Sequence, residues 1–119
     1  MSPDDFINDT ITRGGAIGID NMDANQRLVW LISEAEVLCD MEGIDTFLRR
    51  YPNWLGETSF AFRTIEATDI ANALDMIHPA MAPEDPALGL ANEMISSRTG
   101  YTYEFIRRVI ERRLSVTQS

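Results

Sequence analysis

Lysine is absent from this chain: all 10 basic residues are arginines, set against 19 acids in 119 residues. Without a lysine there is no P-loop. A single cysteine, Cys39, excludes an intramolecular disulfide and a multi-cysteine zinc site. His78 is the only histidine, so an H-E-x-x-H zinc motif cannot form. No G-x-G-x-x-G fingerprint and no D-x-[DN]-x-[DN]-G calcium loop occurs, so neither a cofactor nor a metal is expected. No apolar run approaches transmembrane length. The start Met1-Ser2-Pro3-Asp4-Asp5 is acidic where a secretory leader would be basic. A cytoplasmic protein with no membrane contact is expected.

What is present is charge, placed unevenly. Residues 1–95 hold 17 acids and 5 arginines, a net of −12. Residues 96–119 hold 2 acids and 5 arginines, a net of +3, which together give the overall −9. A body of that sign repels nucleic acid and suits a basic or DNA-binding protein partner. Apolar content of 45% is enough for one core.

Helical periodicity dominates. Ser2-Pro3-Asp4-Asp5 reads as a cap, a proline at the first helical position and acids in the first turn. That helix is expected to run to about Thr12, with Gly14-Gly15 as the stop and 13–22 as a loop. Asp23 with Gln26 resembles a capping box and predicts a long helix over 23–42. Leu28, Leu31, Ile32, Ala35, Leu38 and Cys39 share one arc of it. Trp30, Val37 and Met41 form a second stripe, so this helix is central or packs on another chain.

Farther along, Asp45 is a plausible cap for a short helix closed by Pro52. Residues 57–67 read as helix, and Thr68 or Asp69 as the cap of the next, which ends near His78-Pro79. A connector holds three of the five prolines. Asp85-Pro86 starts a helix to about Ser97, and Thr102 another to about Leu114, leaving 115–119 as a frayed tail. Arg113 points toward the apolar arc, where a carboxylate from another helix or subunit is its expected partner.

Cys39, on the apolar arc beside Glu36 and Asp40, reads as a buried structural thiol. His78 reads as a helix-end or solvated side chain. No catalytic constellation is legible.

The stretch Glu34 to Pro52 has a shape of its own: a helix with Glu36-Val37, a turn at Gly43-Ile44, then Phe47 and Tyr51. Ile65 to Leu74 follows as a second matching segment. Over roughly residues 28–78 the chain resembles a bacterial family of acidic all-helical domains that includes a DNA-mimic protein. Met41-Glu42 stand where that pattern has Asn-Gly, and Glu66 stands in place of a glycine. The resemblance implies an all-helical dimer whose acidic surface occupies the DNA-binding face of a transcription regulator, and it brings no catalytic residues.

These readings converge on an all-α, compact single-domain bundle of about six helices over 1–119, with the 23–42 helix at its centre. The expected function is a non-enzymatic acidic interaction domain, in its sharpest form a DNA mimic. Glu34, Glu36, Asp40, Glu42 and Asp45 are the expected partner-binding residues. Trp30, Val37 and Met41 are interface candidates for a second reading, a small adaptor or immunity-type protein that binds through an apolar helix face. An enzyme built on Cys39 and His78 is the third. A homodimer fits either of the first two.

Overall fold

The computed structural model describes residues 1–78 and 80–118. Among them are seven α-helices and no strand: α1 Pro3–Ile17, α2 Ala24–Met41, α3 Ile44–Arg50, α4 Leu55–Thr64, α5 Thr68–Asp75, α6 Pro86–Ser96 and α7 Tyr103–Gln118. The expected all-helical domain is there, and its seven helices stand close to the expected count of about six.

Local chemistry accounts for several boundaries. The Ser2 hydroxyl accepts from the Asp5 amide at 3.1 Å, opening α1 as expected. Gly14-Gly15 does not end it. The helix continues to Ile17, and Gly18, at φ 82°, terminates it. Gly14 is buried against the Trp30 indole, so close that an added Cβ would lie 2.3 Å from Cε3. This glycine therefore lets two helices approach. The anticipated loop shrinks to a short link containing a 3-10 turn at Ile19–Asn21.

The capping box at the start of α2 is reciprocal. Gln26 donates its amide to Asp23 Oδ1 at 2.8 Å, and Asp23 donates its own to Gln26 Oε1 at 2.9 Å. The expected arc is the buried face, joined by Val29. Helix α2 contacts α1, α3, α4, α6 and α7, so it is the centre of the fold. Around it gather Phe47, Phe62, Ile65, Ile70, Leu74, Ile95 and Ile110, all essentially inaccessible to water. Burial of this set is the main stabilising term.

Two caps differ from expectation. Helix α3 is capped by Gly43, at φ 122°, with Asp45 inside its first turn. The Ile44 amide is satisfied from α6, by Asn92 Oδ1 at 2.8 Å. Helix α5 starts after Ala67 with no side-chain cap from Thr68 or Asp69, and it ends at Asp75, ahead of His78. Glu66, in the tight α4–α5 turn, takes a left-handed φ of 68°. Pro79 and Ser119 lie outside the described residues. Helix α7 runs past Leu114 to Gln118, so the expected frayed tail is helical through that residue.

Candidate functional site

The last two turns of α2 and the first of α3 carry the five expected acids. Four of them have partners within the chain, three through the tertiary fold and Asp45 one turn along its own helix. Arg98, in the α6–α7 turn, donates to both Asp40 oxygens at 2.9 Å and approaches Glu36 with its Nε at 3.2 Å. The same guanidinium donates to the carbonyls of Ile95 and Ser96. Glu36 also accepts a hydrogen bond from the Tyr101 hydroxyl. One arginine thus ties the end of α2 to the end of α6, and its own backbone adopts a left-handed φ of 52°.

The electrostatic consequences follow. Bonding from Arg98 holds the Asp40 carboxyl below the ordinary carboxylate range. Burial first, and then the bond to Glu36, push the Tyr101 hydroxyl well above the usual tyrosine range. Two carboxylates around one guanidinium leave a net negative charge held in fixed positions.

Glu34 belongs to a different network. It accepts from the Tyr51 hydroxyl at 2.6 Å, and that oxygen in turn accepts from Trp30 Nε1 at 3.2 Å. Burial, then the bond to Glu34, raise Tyr51 to about 12. Asp45 pairs with Arg49 at 2.9 Å, one turn along α3, which lowers its carboxyl. Glu42 is exposed and makes no side-chain ion pair or hydrogen bond among the described residues.

The three interface candidates separate. Trp30 is half-buried, packed on Gly14 and bonded to Tyr51, and is therefore a helix–helix contact within the chain. Val37 and Met41 are exposed, at 45% and 78%, one turn apart on the outer side of α2. Arg113 donates to Asn25 Oδ1 at the start of α2, at 3.1 Å. Arg98, Tyr51 and Tyr101 escaped sequence reasoning, because each partner lies 17 or more positions away.

Cys39 and His78 are not brought together by any hydrogen bond among the described residues. Cys39 is buried, and burial, reinforced by the Asp40 charge, raises its thiol to about 12. A thiol so placed is a poor nucleophile near neutral pH. His78 is exposed on the edge of an apolar groove between α3, the start of α4 and the connector after α5. No group of three or more His, Cys, Asp or Glu side chains suited to a metal occurs among the described residues. No described helix is long and apolar enough to cross a membrane. No family model, curated protein or solved structure matches the chain.

Proposed function

We propose that this chain is a non-enzymatic acidic interaction domain that binds a basic protein through the outer face of the C-terminal half of α2. One observation carries the reading. Val37 and Met41 stand exposed one turn apart, the same two turns of helix hold Glu34, Glu36 and Asp40, and Glu42 caps their end. An apolar centre with a charged border is the usual anatomy of a protein interface. The border attracts a basic partner and orients it, while the apolar pair supplies contact area.

The sharper form is DNA mimicry aimed at a DNA-binding regulator. What supports it is that the Asp40 and Glu36 carboxylates are held by Arg98 and Tyr101 on helices and do not swing freely. Arg98 also sets a cation between two of them, which a row of phosphates lacks. That favours a mixed apolar and acidic surface over a pure charge mimic. A homodimer through the same apolar pair is the competing use of this face.

The test is capture of partners on immobilised protein, beside a Val37→Ser/Met41→Ser variant and a Glu42→Gln variant. Basic proteins should be retained at low salt and released as the screening length falls from about 10 Å at 0.1 M to about 3 Å at 1 M. The serine pair should lose most of them. Retention indifferent to salt and to both variants would sink the reading. A shift to monomer in the serine variant alone would favour the homodimer.

A further inference from the structure

Residues 96–119 carry a net charge of +3, which the α2 reading does not use. Three of their five arginines are held by carboxylates: Arg98 by Asp40 and Glu36, Arg107 by Asp4 and Glu111, and Arg108 by Glu104. Arg112 is exposed and makes no ion pair or side-chain hydrogen bond among the described residues. With Arg113, Asn25 and Val116 it lines a shallow cleft between the end of α7 and the start of α2. Arg113 also lines an adjoining cleft, with Ala24, Leu28 and Phe60. Two large apolar side chains stand in the open here, Phe60 at 62% and Val116 at 75% exposure. Glu57, the acid among the lining residues of these two clefts, is bonded to Arg27 at 2.7 Å. Glu66 and Glu111 lie with Arg112 along a separate cleft, and Glu111 is bonded to Arg107. The surface around Phe60 and Arg112 is thus apolar and cationic.

Its complement stands at the other end of α2. Val37 and Met41 are the exposed apolar pair there, and Glu34, Glu36, Asp40 and Glu42 accompany them against the single cation Arg98. Asn25 and Met41 lie about 24 Å apart along the helix at its standard rise, more than twice the screening length of about 10 Å at 0.1 M salt. One copy cannot bring its own two surfaces together, but two copies can. An isologous dimer through α2 would instead set acidic face on acidic face. The net −9 of each copy opposes association. At about 0.1 M salt that long-range repulsion is largely screened, while ion pairs in contact are screened much less.

We propose that the chain associates head to tail, with the Phe60–Arg112 surface of one copy seated on the Val37–Met41 face of the next. This rests on the reading of that face as a binder of cationic protein surfaces, and it names a second copy as an occupant. Such a heterologous contact leaves one open surface of each kind, so assembly continues past the dimer until it closes into a ring or extends as a filament.

Sedimentation velocity of the full chain over a range of concentrations is the test. At about 0.1 M salt, species larger than a dimer should appear, and about 1 M salt should weaken them. Val37→Ser/Met41→Ser removes one surface and Phe60→Ser/Arg112→Glu the other; each should weaken association about tenfold. All four side chains are exposed, so melting temperatures should stay near wild type. Arg112→Glu alone should weaken association about threefold. An equimolar mixture of the two double variants should give a dimer with one copy of each that grows no further, since each retains the surface the other has lost. Association of Phe60→Ser/Arg112→Glu equal to that of wild type would overturn the head-to-tail arrangement in favour of an isologous contact. A wild type that remains monomeric throughout would overturn self-association itself. Both of these results leave the capture of basic proteins on α2 standing, because that reading is judged by the retention of a different molecule.

Discussion

Replacing Arg98 should reveal how much of the fold depends on a single turn. Its guanidinium makes two 2.9 Å bonds to Asp40, approaches Glu36 at 3.2 Å and donates to two carbonyls. Charge-assisted bonds contribute about 1.5–3 kcal/mol each where shielded. The Arg98 and Asp40 side chains are 37% and 40% exposed, so solvent screening reduces the whole set to about 2 kcal/mol. Arg98→Ala should therefore lower the melting temperature by about 8 °C. Arg98→Gly loses the same bonds but relieves the left-handed backbone at φ 52°. It should be the more stable of the two by about 0.5–1 kcal/mol, after the extra freedom of glycine in the unfolded chain is subtracted.

The pH dependence has a definite sign. The Asp40 carboxyl is depressed in the folded state, through its bonds to Arg98. Its contribution is fully present above the unfolded carboxylate value of about 4 and is lost as pH falls through the folded value. The gap between wild type and Arg98→Ala should persist at neutral pH and close in acid. Thermal melts by circular dichroism decide the matter. An alanine variant melting within about 1 °C of wild type, or a glycine variant below the alanine one, would refute the clamp.

Adjacent glycines should behave in opposite ways. Gly14→Ala drives a methyl into the Trp30 indole and should destabilise by about 1–3 kcal/mol, whereas Gly15→Ala meets nothing within 4 Å and should stabilise by about 0.5–1 kcal/mol. Denaturant midpoints compare the two directly. Tyr51→Phe strips the hydroxyl from both Trp30 and Glu34 and should cost about 1–2 kcal/mol, read from urea unfolding with Trp fluorescence. Ultraviolet titration of the wild type should show all three tyrosines still mostly protonated at pH 11, since Tyr51 and Tyr103 are raised to about 12 and Tyr101 higher still. Cys39 should react with a disulfide reagent at pH 8 only at the rate of unfolding, because its thiol is buried and raised to about 12. Rapid modification of the native protein would contradict that burial.

How much could be read from the sequence followed the range of each interaction. The caps at Ser2, Asp23 and Asp85 and the buried arc of α2 were legible, since partners two to four positions apart meet as soon as a helix turns. Gly14-Gly15 misled because a glycine pair signals a helix stop equally as well as a close helix contact. Only Trp30, 16 positions later in the chain, distinguishes the two. Trp30 likewise read as one stripe with Val37 and Met41, whereas α1 and Tyr51 cover it and leave those two exposed.

Sequence by itself determined that the chain is helical, which helix lies at its centre and that its charge is negative, because periodicity, local capping and composition need no fold to be evaluated. Tertiary structure alone decided which of the charges on α2 are committed. Asp40 and Arg98 stand 58 positions apart, and nothing local to either indicates that they meet. Their pairing arises from packing α6 against α2, so the difference between a bound carboxylate and a free one exists only once the core has formed.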